Sequence, residues 1–410
     1  MQKSLEQNII KYGLYKIFTK RVFLPLIPIF LIDYGHVSLG DLAAIASLTA
    51  IARILMEVPT GYVADRWGHK PTLVFGSFLT AISVLPYIFI NGFAGGLLAS
   101  VLFSVGYAFT AGTAQAFMHE TLMALNRENE YSRVMGLAQS RGLLGNVLLI
   151  SLVPLTYKID PLMPFVLGFV CLAVSCALAC SFVKPPVRPI ATNRPGLAHL
   201  IANLKHFHTG KSTRLQLLLV FILFGFTSAG YDSAITFREV EFKAIGIPVD
   251  YFGLILAVSS LLAALVGRYI HVLKRLSAAS FYAFDILYLC AAYILIGITK
   301  EPIVIAFAFI LFPTYSRTRD IIFESHVFEE FPNSNHKATL ISVLNFFAQA
   351  SSVGAPLLLA FLVTQTDLGR GHLFFGLSLL LLTTPIFLGY KFFAKKQRPK
   401  QAAELKDTPL

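Results

Sequence analysis

The sequence predicts an all-α membrane protein, with twelve transmembrane helices in two six-helix bundles related by a pseudo-two-fold axis. Composition is the first reason. Of 410 residues, 56% are hydrophobic and only 14% charged, with 36 phenylalanines, a balance outside the range of water-soluble globular chains. Run length is the second. Backbone groups left unpaired in hydrocarbon restrict spans to helices or closed barrels, and the apolar runs here are too long for barrel strands. The third is a single long polar interruption at 184–213 with six apolar runs on either side, the pattern of a parallel repeat about an axis along the membrane normal.

A bilayer core takes about 20 apolar residues per helix. Counted against turn signals and charge clusters, the first half gives spans over 9–33, 38–64, 70–91, 94–124, 131–156 and 161–183. The second half gives 214–240, 249–274, 277–299, 302–328, 336–364 and 371–394. The domains expected are therefore bundles over 1–183 and 214–394, a basic linker over 184–213 and a tail over 395–410. Met1–Lys11 is polar and precedes a long apolar run without a small-residue cleavage site, so span 1 is expected to be retained rather than removed as a signal. Pro185, Pro186, Pro189 and Pro195 bar a helix from the start of the linker. Beyond them, Leu197, Leu200, Ile201, Leu204 and Phe207 recur at helical spacing opposite Lys205, His206 and His208, as in a helix lying on the membrane surface.

Charge sets the expected orientation, because Lys and Arg favour cytoplasmic loops. With both termini inside, 22 of the 34 basic residues fall in inner segments and four (Lys158, Lys243, Lys300 and Arg370) in outer ones. Basic residues facing an anionic inner leaflet account for the net charge of +12 without nucleic acid. Cys171, Cys176, Cys180 and Cys290 lie within spans and read as small packing residues. No N-x-S/T acceptor occurs, and the compact loops suit a bacterial inner (plasma) membrane.

Between spans 2 and 3 the residues Gly61-Tyr-Val-Ala-Asp65-Arg66-Trp-Gly68-His69-Lys70 read G-x-x-x-D-R-x-G-x-K. Arg53-Ile-Leu-Met-Glu57-Val-Pro59-Thr-Gly61 leads into them with an E-x-P-x-G run. Together these resemble the cytoplasmic hinge of the major facilitator superfamily, in a bacterial exporter-like branch, and the resemblance extends over nearly the whole chain. It implies a latch of Glu57, Pro59, Gly61, Asp65, Arg66, Gly68 and Lys70 with Glu120, the acid at the end of span 4. His69 departs from the family, which prefers Arg or Lys there. The corresponding second-half loop keeps Gly267 but has His271 in place of the aspartate, so the latch belongs to the first half. The resemblance also places spans 1, 4, 7 and 10 around a central cavity, flanked by spans 2, 5, 8 and 11.

Ionisable groups within spans are expensive and mark pairing, a cavity or function. At about 1.5 Å per residue, Arg21 and Arg141 lie roughly 15 Å from the inner ends of their spans, while Arg53 and Arg317 lie about 22 Å from the outer ends of theirs. Arg21 and Arg141 could meet an anionic substrate group through bidentate donors, or each could be half of a structural ion pair. Proton coupling needs a carboxylate or histidine whose protonation changes with exposure. Asp232 beside Tyr231 is the best placed, followed by Glu57 and by Asp320 and Glu324 in the span 10 cluster with Arg317 and Arg319. That cluster reads equally as a gate network. Asp285 ranks lower because span 9 should be peripheral. Tyr107, Gln115, Gln139, Asn146, Asn345 and Gln349 could hydrogen-bond substrate or glue helices together.

The glycine-proline step of drug antiporters is absent from span 5, and no phosphate-binding loop occurs. The expectation is a secondary transporter, not an enzyme, without cofactor or metal. It would act as a monomer and move a small organic molecule by alternating access through proton-coupled efflux. A proton-coupled importer of an organic anion is the alternative. A non-transporting sensor or scaffold is the reading from another class, and it predicts a large cytoplasmic domain and cavity spans without ionisable groups.

Overall fold

The structure is a computed structural model that describes residues 2–186, 211–330 and 337–404; the side chains of Glu57, Val58, Gly61, Asp65, His271 and Arg317, and those of 211–213, 337–339 and 396–404, fall outside the description. The surface helix expected around Leu197–Phe207 lies outside it too. Every regular element among the described residues is helical. The first half runs α1 (Gln2–Phe18), α2 (Ile27–Asp33), α3 (Leu39–Trp67), α4 (His69–Ile82), α5 (Leu85–Phe89), α6 (Gly92–Thr110), α7 (Thr113–Ala124), α8 (Tyr131–Leu152) and α9 (Met163–Cys180). The second runs α10 (Lys211–Ala244), α11 (Asp250–Arg268), α12 (Ile270–Leu273), α13 (Ala278–Ile298), α14 (Pro302–Glu330), α15 (Lys337–Gln365) and α16 (Leu368–Glu404).

Ten helical stretches are long and apolar enough to cross a membrane, among the described residues. The expected count of twelve is thus met only in part, and each shortfall has a cause. Span 1, expected as one helix over 9–33, is broken: α1 ends at Phe18, a 3-10 turn occupies Leu24–Leu26, and α2 starts at Ile27. Pro25 and Pro28 lie in the first turns of those two short elements, where a missing N–H is harmless, whereas neither fits the interior of a continuous helix. Span 10 forms as α14, 29 residues long, but Arg317, Arg319, Asp320 and Glu324 dilute its apolar run.

Other breaks follow from single residues. The turn between α3 and α4 is one residue, Gly68, at φ +87°, a conformation that other residues adopt only under strain. A Cβ at Gly68 would meet nothing within 4 Å, so glycine serves here for backbone freedom rather than for close helix approach. Gly112, at φ +75°, likewise separates α6 from α7. Ser38 and Asp41 start α3 with a reciprocal capping box, Asp41 N–H donating to Ser38 Oγ and Ser38 N–H to Asp41 Oδ2, each at 3.1 Å.

Two compact units result. One contains the described part of Met1–Arg194 together with Glu239–Val258, the other that of Pro195–Arg238 with that of Ser259–Leu410. In the first, α6 packs on α3 and α4, and α1 on α8 and α9. Asn8 locks α1 to the chain beyond α9: its Nδ2 donates to Val183 O at 2.8 Å and its Oδ1 accepts from Val183 N at 2.9 Å. One core cluster gathers Phe23, Phe30, Tyr87 and Phe165 beside the break in span 1, and another gathers Tyr12, Tyr15, Phe117 and Phe182 around α1. In the second unit, α13 and α15 pack on α16, and α13 also packs on α14.

The α4–α6 crossing rests on a glycine pair. A Cβ on Gly106 would come within 2.8 Å of Gly76 O and 2.7 Å of Thr80 N, both backbone atoms that cannot swing aside. Gly106→Leu is expected to push the helices apart at a penalty of about 1–3 kcal/mol, read as a lower unfolding temperature in detergent. An unchanged midpoint would mean that the crossing is looser than described.

Candidate functional site

The densest charge constellation lies inside the second unit. Arg319, on α14, is 1% exposed, and a guanidinium taken out of water must satisfy its donors internally. Its Nε donates to Asp285 Oδ1 and Oδ2 at 2.9 and 2.8 Å. Nη1 donates to Ser228 Oγ at 3.0 Å and Asp320 Oδ1 at 2.8 Å, and Nη2 donates to Thr227 Oγ1. Tyr231 OH donates to Asp285 Oδ1 at 3.1 Å. The rings of Phe224, Tyr231 and Phe323 stand 4.7, 5.2 and 5.4 Å from the guanidinium carbon, adding cation–π attraction. Three helices thus converge on one arginine: α10 with Thr227, Ser228 and Tyr231, α13 with Asp285, and α14 itself.

The two carboxylates differ. Asp285 is 1% exposed, whereas the Asp320 side chain is 52% exposed. One guanidinium between two carboxylates leaves one negative charge, and Asp320 is the acid that remains open. Asp232 and Asp285 both lie within electrostatic reach of it. Asp232 is exposed on α10 and accepts from Ser352 Oγ at 2.8 Å, and Glu324, one turn along α14 from Asp320, is half-buried.

This arrangement revises the sequence reading of spans 9 and 10. Asp285, ranked low as peripheral, is the principal counter-ion, because α13 turns it inward between α10 and α14. Arg319 organises the cluster; the side chain of Arg317, the other arginine of the span 10 cluster, lies outside the description. Buried charges at Arg238, Glu239 and Glu241 also escaped notice, although three charges within four residues of an apolar span were a readable signal.

In the first unit Arg21 stands in the break of span 1. Its guanidinium carbon lies 4.0 Å from the centroid of Phe103 on α6, and Phe103 stacks on Tyr107 with centroids 6.2 Å apart and planes 15° apart. Tyr87 and Arg53 lie within electrostatic reach. No carboxylate pairs with Arg21 among the described residues. The structure does not bring Arg141 to it: Arg141 lies across Gly13, its Nη1 3.4 Å from where a Cβ would stand, eight positions before Arg21 on the other side of the break. Tyr107, Gln115, Gln139 and Asn345 are exposed and Gln349 is half-buried. Asn146 is half-buried, its Oδ1 without a hydrogen-bond partner among the described residues.

At the hinge, the pair that forms is His69 with Glu120, Nδ1 to Oε1 at 2.8 Å, both side chains about nine-tenths buried. Glu120 therefore meets the residue that departs from the family rather than Arg66 or Lys70. Arg66 Nη1 donates instead to Tyr62 OH at 3.4 Å. The helical position of Glu57, Pro59, Gly61 and Asp65 on α3 is described, but the Glu57, Gly61 and Asp65 side chains are not.

Charges held this deep in apolar helix bundles mark functional sites of membrane proteins, so the class is a multi-pass helical membrane protein with ionisable groups in its interior. The chain belongs to the Major Facilitator Superfamily, whose sequence profile matches residues 15–318. It is 22% identical over 249 residues to an uncharacterised MFS-type transporter, YxaM, of Bacillus subtilis (strain 168), a match over 59% of this chain that spans about 60% of that relative. Its fold is similar to the nucleoside transporter NupG, with a TM-score of 0.76 and 14% identity over 94% of this chain and 99% of that one. It is also similar to a peptide transporter, POT, with a TM-score of 0.72 and 12% identity over 96% and 95%.

Proposed function

We propose that this transporter is proton-coupled, that Asp320 takes the coupling proton, and that the substrate is a small organic anion. The observation that carries this is the one-guanidinium, two-carboxylate balance around Arg319. Protonating Asp320 leaves Arg319 and Asp285 as a neutral pair, so the proton changes the net charge of the site without breaking its buried half. Arg21, without a carboxylate partner among the described residues, supports an anionic substrate group. Electrostatics then sets the direction. Negative carboxylates disfavour an anion and protonation relieves that repulsion, so proton and anion bind together and uptake by symport follows.

Efflux by antiport, the direction favoured by the E-x-P-x-G run, requires a substrate that competes with the proton and so suits a cation. Residence in the inner membrane with cytoplasmic termini, and a monomeric state, complete the proposal. The test is flux in proteoliposomes against a panel of organic anions and cations, with and without an acid exterior. The expected result is anion uptake driven by the pH gradient, abolished in Asp320→Asn, with counterflow exchange retained. Arg21→Gln is expected to lower apparent affinity for anions by about tenfold or more. Gradient-driven uptake surviving in Asp320→Asn would remove that residue from coupling.

A further inference from the structure

A second basic site lies in the first unit, along the N-terminal half of α8. A groove of about 290 Å³ runs between α1 and α8, with Ile9, Ile10 and Gly13 on one wall and Val134, Leu137 and Ala138 on the other. Arg127, Glu130, Arg133 and Arg141 supply all of its charge. Glu130 grips Arg127 through two bonds of 2.7 Å, Nε to Oε1 and Nη2 to Oε2, and the guanidinium holds the Glu130 carboxyl below its usual range. That pair is balanced. Arg133 and Arg141 are both exposed and have no carboxylate partner among the described residues.

The apolar part of the groove is equally open. Ile10 is 62% exposed and Leu137 is 49% exposed, and Leu137 sits one turn from each of the two arginines along α8. Gly13 provides the floor over which Arg141 lies. Glu130 also lies within electrostatic reach of Arg133, but one carboxylate stands against the three guanidinium groups of the groove, and this excess of positive charge around an exposed aliphatic surface matches a ligand with the opposite arrangement, an anionic head on a hydrocarbon body. Phosphate suits the head better than carboxylate, because it offers acceptors on several sides to two arginines that approach from different turns.

We infer that the α1–α8 groove is a seat for a phosphate-bearing amphiphile, with Arg133 and Arg141 holding the phosphate and Ile9, Ile10 and Leu137 the start of the chain. The seat does not depend on the transport proposal, since Arg21 and Asp320 take no part in it. The occupant assigned is a membrane phospholipid, since the groove belongs to a chain with ten helical stretches long and apolar enough to cross a bilayer among the described residues; a soluble alkyl phosphate shares the chemistry and is the source that the probes separate from it.

The test is saturable binding to the full-length protein in a neutral maltoside detergent, with dodecyl phosphate, phosphatidylglycerol, phosphatidylcholine and inorganic phosphate as probes. Phosphatidylglycerol is expected to bind, alone marking a lipid seat and together with dodecyl phosphate a general one. Phosphatidylcholine, whose net charge is zero, is expected to bind far more weakly. Inorganic phosphate is expected neither to bind nor to compete. Losing both arginines should weaken binding about thirtyfold in Arg133→Gln/Arg141→Gln, whereas Arg127→Gln should change it little. Ile10→Asp leaves both arginines in place and should also weaken binding strongly, a check that needs no change to α8. Wild-type affinity in the double variant, or inorganic phosphate binding as tightly as dodecyl phosphate, would overturn the assignment.

Discussion

Asp285→Ala is expected to lower the stability of the second unit by about 3–5 kcal/mol, the range for removing one partner of a buried ion pair. The reason is what it leaves behind. Arg319 stays 1% exposed with its Nε facing no acceptor, and Asp320, held through Nη1, cannot replace a carboxylate that sits across Nε. Tyr231 loses its acceptor as well. The paired variant Asp285→Leu/Arg319→Met should recover most of that loss, because replacing both charges by apolar side chains of similar volume removes the uncompensated charge. The remaining deficit should be about 1–3 kcal/mol, from the Tyr231 hydroxyl stranded without a partner. Thermal unfolding in detergent measures both. A single variant within about 1 kcal/mol of wild type would mean that the pair contributes far less than a buried pair should. The two roles of the cluster then separate, since the double variant is expected to fold yet lose pH-driven uptake.

The contrast between Asp285 and Asp320 shows where sequence reading stops. Apolar run lengths located ten of the helical stretches, because the cost of unpaired backbone in hydrocarbon leaves few alternatives. The break in span 1 was written in Pro25 and Pro28, yet an apolar count passes over prolines. The site was less legible. Asp320 and Arg319 could be found as charges in a span, but their partner is on another helix, and which face of α13 turns inward depends on packing that no local pattern records. His69 was visible as a departure from the family; that it, rather than Arg66 or Lys70, meets Glu120 follows from Gly68, whose positive φ starts α4 at His69 itself.

Gly253→Leu is expected to shift the conformational balance of the transporter rather than its stability. In the first unit, the stretch Glu239–Val258 groups with the helices of the first half, and Gly253 lies against the end of α8. A Cβ there would fall against Ile150 O, deep inside contact distance, and 2.8 Å from Pro154 Cγ. Ion pairs flank it, Lys158 with Asp250 and Lys243 with Asp33, and behind it Ile150, Leu256 and Ala257 form a small buried cluster. The pairs are partly exposed, Lys158 being 72% exposed, so each contributes little. Close packing is therefore the main term. Overpacking at such a contact carries a penalty of about 1–3 kcal/mol, which moves a two-state equilibrium roughly five- to 150-fold towards the separated form. A cysteine placed at Ala257, in a background with Cys171, Cys176, Cys180 and Cys290 changed to serine, reports the opening through its labelling rate by a polar thiol reagent. That rate should rise by the same factor in Gly253→Leu. The charge-reversed pair Lys158→Asp/Asp250→Lys should leave it nearly unchanged. Equal labelling with glycine and leucine at 253 would show that this contact does not hold the stretch in place, and opening by the charge reversal alone would assign that role to the ion pair instead.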